Sequence, residues 1–287
     1  MMKHYFLVVA VGVPVFLLVS MFLIGVNSQP CHAQASATGR APVLVELFTS
    51  EGCSDCPPAD RLLENLDRSQ PISGAEIIVI SEHVDYWNRL GWTDPFSSAF
   101  YSQRQSAYAD RFGISSVYTP QMVVDGATEF VGSDSRRAQS AIAEAAAKPK
   151  VALRLSSVTQ EKNVISFHVE GDALPGKSSA DIYVVVADNS DTSQVERGEN
   201  SGRTLTHVAV AREFKQVDRI GPGSSFAKDV KLDLKSSQSQ SGEKRNLRVI
   251  AFAQERGSGR VLGSAMQKLA ESNTAASAAA AVSSHRR

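Results

Sequence analysis

The chain has 287 residues, 43% of them hydrophobic and 21% charged, a composition that supports buried cores and allows two domains. Thirty basic residues balance thirty acidic ones, so no excess of charge favours nucleic acid or an anionic membrane surface as a partner. Only three cysteines are present, at positions 31, 53 and 56.

The first 35 residues stand apart. Lys3 and His4 precede an almost uninterrupted apolar stretch from Tyr5 to Val26, and small residues follow at Ala33 and Ala35. A basic start, an apolar centre and an A-x-A spacing predict a secretory signal peptide. The apolar run is about 22 residues, longer than a usual signal core and enough to span a bilayer, so a retained N-terminal membrane anchor is the alternative. Either way the remainder is expected to be periplasmic or secreted, in an oxidising compartment. Cleavage after Ala33 or Ala35 would remove Cys31 and leave Cys53 and Cys56 as the only thiols.

From residue 41 the elements follow in order. Val43–Thr49 is a short apolar run that predicts a buried strand. Pro57 and Pro58 suit the first turn of a helix, which continues through "ADRLLENLDR" with Leu62, Leu63 and Leu66 on one face. "AEIIVIS" (Ala75–Ser81) is a second buried strand. After the polar and aromatic "EHVDYWNRLGWTDPFSS", the stretch "FSSAFYSQRQSAYADRF" predicts a helix that stops at Gly113. "VYTPQMVVDGATEFVG" reads as two strands joined at Asp125-Gly126, a hairpin signal, and Ser133 then caps an alanine-rich helix over about 134–147.

Beyond Lys148-Pro149 the pattern changes. Seven β-rich runs, beginning at Val151, Val164, Asp181, Leu205, Ser225, Leu247 and Val261, are separated by Gly, Ser, Asn and Asp. They predict an antiparallel, sandwich-like region over 150–268. The polar stretch from Lys235 reads as a long loop, and the tail over 269–287 has too little apolar bulk to pack.

The pair Cys53-Ser54-Asp55-Cys56 falls where the first strand hands over to the first helix. A disulfide across so short a loop constrains the unfolded chain little, so the pair is expected to be chemical rather than structural. The helix dipole and free N–H groups at that end favour a thiolate on Cys53, and Cys56 is within reach to resolve a mixed disulfide. Asp55 opposes ionisation of Cys53, which argues for a moderate or reducing pair. Thr119-Pro120 opens the strand expected beside the cysteines. A cis bond there would expose the backbone of Thr119 to an extended substrate.

"VELFTSEGCSDCPPADRLL", "HVDYWNRLGWTDPFSS", "VYTPQMVVDG" and "RGENSGRTLTHVAV" together resemble a family of secreted bacterial proteins catalogued as a domain of unknown function and grouped with the thioredoxin-like superfamily. The resemblance spans about residues 41–267. It implies an α/β thioredoxin-like domain over 41–149 followed by the β-rich region, with Cys53 and Cys56 at the redox positions and Pro120 at the cis-proline position. Glu46, in the first strand, is the nearest candidate for a buried proton-shuttling acid.

Around this pair the residues suggest supporting roles. His83 lies in the segment just beyond the second strand and could move a proton for Cys53, with Asp85 fixing its tautomer and Trp87 beside it. Glu199, Asn200 and Arg203, in the turn "ERGENSGRTLTH", could contact the first domain or a substrate peptide, or the turn could be held by its own hydrogen bonds. The leading expectation is a cell-envelope thiol–disulfide oxidoreductase acting on protein thiols or disulfides, with no cofactor and no resident metal. A copper- or zinc-binding module using Cys53, Cys56 and His83 is one alternative. A non-catalytic binding scaffold is the other.

Overall fold

The computed structural model of the protein describes Met2, residues 39–234 and residues 246–269. The expected signal or anchor segment with Cys31, the polar stretch after Leu234 and the tail from residue 270 lie outside the described residues. Among the described residues no helix is long and apolar enough to cross a membrane.

The first half follows the predicted order of elements: β1 (Ala41–Thr49), α1 (Pro57–Ser69), β2 (Ala75–His83), α2 (Ala99–Phe112), β3 (Gln121–Val124), β4 (Thr128–Val131) and α3 (Ser135–Ala146). Each begins and ends for a local reason. Helix α1 opens on two prolines, whose fixed φ suits the first turn. Ser98 caps α2 by accepting from the Phe100 N–H, and Gly113 ends it in the left-handed conformation at φ 68°. Asp134, not Ser133, caps α3 through the Arg137 N–H. Positive φ at both Asp125 (47°) and Gly126 (60°) makes the tight turn between β3 and β4.

The seven later runs are all strands: β5 (Leu153–Glu161), β6 (Val164–Gly171), β7 (Ala180–Gln194), β8 (Thr204–Ile220), β9 (Phe226–Asp233), β10 (Leu247–Glu255) and β11 (Val261–Lys268). Their pairing overturns the expected architecture. An α/β thioredoxin-like domain with a separate sandwich-like region requires two sheets that divide near residue 149. Instead, among the described residues, one mixed sheet of eight strands runs β11-β10-β7-β8-β2-β1-β3-β4, and β5, β6 and β9 form a second sheet. The junction is parallel, with Ser81 of β2 opposite Val210 of β8.

Burial explains the junction. β2 is apolar on both faces and almost wholly buried, so an open edge there would leave a row of unpaired backbone groups. β8 covers it, and the cores on both sides draw on both halves of the chain. On one face Val43, Val45, Leu63, Leu66, Ile77 and Ile142 pack with Val208 and Ala209 of β8. On the other, Leu44, Ile78, Ile80 and Tyr101 pack with Val185, Ile250 and Phe252. The three-stranded sheet lies over β7 and β10, where Ile165, Phe167, Val169 and Val230 meet Ile182, Val184 and Val249. A further tie is Arg248 of β10, which is buried and donates to both carboxylate oxygens of Asp67 on α1 (2.7 and 2.9 Å).

Candidate functional site

Cys53 and Cys56 form a disulfide at the start of α1, with Cys56 as the residue before the first helical turn. Both cysteines are buried, at 1% and 0% exposure, whereas Ser54 and Asp55 between them face solvent. Solvent therefore screens the Asp55 charge. The N–H groups expected to favour a thiolate are already used: Pro57 and Pro58 have none, the Cys56 N–H donates to the Cys53 carbonyl (3.2 Å) and the Ala59 N–H to the Cys56 carbonyl (2.8 Å). At Cys56 to Ala59 the helix offers only its dipole to the sulfurs.

The Thr119–Pro120 peptide is cis. Two contacts bring it to the cysteine loop. The indole N–H of Trp87 donates to the Thr119 hydroxyl at 2.8 Å, while the Trp87 Cβ crowds Gly52, leaving 3.0 Å to the position of a Cβ there. On the far side a Cβ on Gly132 would meet both Pro120 (3.1 Å) and Ala59 of α1 (3.2 Å). Trp87 thus spans from the residue before Cys53 to the residue before Pro120.

Beneath the disulfide loop lies a buried polar cluster that the sequence did not single out. His207 of β8, 1% exposed, sits between Glu51 (Nε2 to Oε1, 3.4 Å) and Asp60 (Nδ1 to Oδ2, 3.7 Å). These are ion-pair distances, too long for hydrogen bonds, and both ring nitrogens lack a hydrogen-bond partner. Burial opposes charge on His207, but the two carboxylates outweigh it and push its pKa up to about 10. Asp60 also accepts from the Thr49 hydroxyl (2.9 Å), and Glu51 from the Trp92 indole (2.7 Å) and the Ser193 hydroxyl.

His83 stands edge-on to His207, ring centres 4.6 Å apart, and bonds Asp94 through Nδ1 at 2.7 Å. Burial works to raise the Asp94 pKa, but His83 and the backbone N–H groups of Glu51 and Phe96 hold it below the ordinary value. Asp85 is not the partner of His83. Past the end of β2 the chain turns, and Asp85 instead accepts from the Ser102 hydroxyl of α2 at 2.6 Å. The Nε2 of His83 is buried without a hydrogen-bond partner. Among the described residues no group of three or more His, Cys, Asp or Glu is arranged to hold a metal ion.

Glu46 is also elsewhere. Strand alternation turns Val45 and Leu47 toward α1 and Glu46 to the opposite face, where it accepts from Arg104 (2.7 Å) and the Tyr108 hydroxyl (2.6 Å). Glu82 shares that pocket, fully buried, with Arg104 3.6 Å away. Burial first, then the neighbouring Glu46, raises its pKa well above the ordinary value.

The glycine-rich turn between β7 and β8 reaches the cysteines, across nearly 150 residues of sequence. Asn200, fully buried, donates to the carbonyls of Glu51 (2.8 Å) and Cys53 (2.9 Å). Glu199 accepts from the Ser54 N–H at 3.1 Å, and Arg203 donates to the Asn200 side-chain oxygen at 2.9 Å. So the structure brings together Cys53, Cys56, Thr119, Pro120, Trp87, Glu199 and Asn200. It sets His83 in the adjoining buried cluster and leaves Asp85 out. Glu51, Asp60, Asp94 and His207 are the members that sequence reasoning missed; the one local hint was Asp60, four residues after Cys56 and hence on the same helix face.

Two solved structures resemble the fold over most of the chain. Protein AGR_C_4864 from Agrobacterium tumefaciens is 26% identical with a TM-score of 0.60, and the match covers 82% of this chain and 97% of that one. HBP35 of Porphyromonas gingivalis is 16% identical with a TM-score of 0.55, covering 82% of this chain and 78% of that one, a likeness of fold alone. No curated protein matches the chain. The description "Protein of unknown function (DUF1223)" matches residues 44–254, and the chain belongs to that family.

Proposed function

We propose that the protein is a cell-envelope thiol–disulfide oxidoreductase that exchanges electrons with protein thiols or disulfides through Cys53 and Cys56. The observation that carries the reading is the disulfide at the head of α1, joined through Trp87 to Thr119 in the loop before β3. A disulfide of this loop size does little for stability, and an isolated structural clip would not require an aromatic strut to a second loop. The apolar N-terminal segment supports export to a compartment where such a pair can cycle.

In the oxidising direction a substrate thiolate attacks the Cys53 sulfur. The Cys53–Cys56 bond breaks, its electron pair leaves on Cys56, and that thiolate takes up a proton. A second thiolate of the same substrate then attacks the substrate sulfur of the mixed disulfide. The substrate leaves as a disulfide, two electrons poorer, and Cys53 departs as a thiolate. Run backward, the same steps reduce a substrate disulfide at the expense of the protein dithiol. We assign the backbone of Thr119, tied through Trp87 to Gly52 beside Cys53, to an extended substrate. The buried His207 carries positive charge below the loop, and His83 is one ring away from it.

The reading is tested with Cys56→Ser. Without the resolving thiol, Cys53 should accumulate mixed disulfides with other proteins, released by dithiothreitol; recovery of Cys53 only as a free thiol sinks the proposal.

A further inference from the structure

Glu199 and Asn200 are consecutive residues, and they hold opposite ends of one peptide unit. Asn200 donates to the Cys53 carbonyl and Glu199 accepts from the Ser54 N–H, which in a trans peptide point in opposite directions. Asn200 adds a second bond to the Glu51 carbonyl, and Arg203 fixes its amide from the other side. The turn therefore clasps the backbone on which Cys53 is mounted. Meanwhile both cysteines have almost no exposed surface, although the exchange reaction requires a nucleophile to reach the Cys53 sulfur in line with the S–S bond.

We infer that Asn200 is a positioning residue and that the β7–β8 turn gates the disulfide, which meets thiols only when this clasp opens. The inference rests on the exchange reading and adds its regulation. Clasped, the Cys53–Ser54 peptide cannot move and Cys53 stays covered. Released, it can turn out with the exposed Ser54 and Asp55. The part of the chain beyond residue 150 thus acts on the cysteines directly, through a turn whose flanking strands are anchored in the central sheet.

The test compares the full chain with its Asn200→Ala variant. Cys53 and Cys56 are reduced by a water-soluble phosphine, which needs no thiolate, and the released thiols are counted by alkylation at each cysteine. Loss of two buried hydrogen bonds from the closed state should speed reduction by about tenfold or more. The rates are repeated at low urea concentrations, because opening of one turn exposes little surface and responds weakly to urea, whereas global unfolding responds steeply. A faster, urea-insensitive reduction is the expected result. An unchanged rate overturns the gate, and so does an increase that follows urea as global unfolding does. The two proposals fail separately. A variant that opens the disulfide in a protein whose Cys56→Ser form traps nothing would keep the gate and remove the exchange reading. Trapping with no effect of Asn200→Ala would do the reverse.

Discussion

Replacing His207 with glutamine tests the buried cluster beneath the disulfide. In the fold His207 holds a proton up to about pH 10 because Glu51 and Asp60 lie 3.4 and 3.7 Å from its ring nitrogens. In the unfolded chain it loses that proton near its ordinary value of about 6.5. A raised pKa contributes stability that is fully present below about pH 6.5 and is lost as pH rises toward 10. At about 1.4 kcal/mol per pKa unit, the imidazolium is worth on the order of 5 kcal/mol at pH 6 and about 3 kcal/mol at pH 7.5. Glutamine leaves two buried carboxylates without their cation, a loss of the same order as breaking a buried ion pair. Urea denaturation of both proteins at pH 7.5, 8.5 and 9.5 should show the wild-type advantage shrinking by about 1.4 kcal/mol per pH unit. A gap that does not change with pH would mean that His207 is neutral in the fold and acts by packing alone.

Glu82→Gln should act in the opposite sense. Burial and the neighbouring Glu46 raise the Glu82 pKa in the fold well above its ordinary 4.5, so it costs stability increasingly as pH rises above that value. The neutral, isosteric variant should be more stable at pH 7 by on the order of 1–3 kcal/mol and no different at pH 4, and a loss of stability at pH 7 in urea melts would contradict this. Gly126→Ala should destabilise the fold by at least about 2 kcal/mol, because the residue has φ 60° and a Cβ there would collide with the Gly259 carbonyl. An unchanged thermal midpoint would show that the turn and the β10–β11 hairpin are not packed as described.

Much of the local structure was legible in the residues. Two prolines after Cys56 mark the head of α1, Asp125-Gly126 marks a turn that needs two positive φ values, and Thr119-Pro120 marks a cis bond. The architecture was not legible, because strand patterns report burial rather than partners. β2 and β8 are both apolar runs, and only the open edge of β2, buried on both faces, hinted that another strand must cover it. The site was half legible for a similar reason. A cysteine pair has a spacing, but a clasp made by Asn200 and a cation made by His207 depend on residues about 150 positions away, and a glycine-rich polar turn looks the same whether it meets solvent or a backbone carbonyl. His83 shows the limit at short range. Asp85 is nearer in sequence, but Asp94 returns to it from the Asp-Pro turn before α2. Glu46 shows the alternation rule: one residue's difference along β1 moved the expected acid to the far side of the sheet.

The measurement that bears most directly on exchange at Cys53 is a count of dithiothreitol-releasable adducts in cells making the full chain as Cys56→Ser, alongside the same chain as Cys53→Ser with Cys56→Ser. Exchange at Cys53 predicts adducts on the single variant, each mapping to Cys53, and none through this pair on the double variant. Equal yields of adducts from the two chains, or none from either, would contradict it.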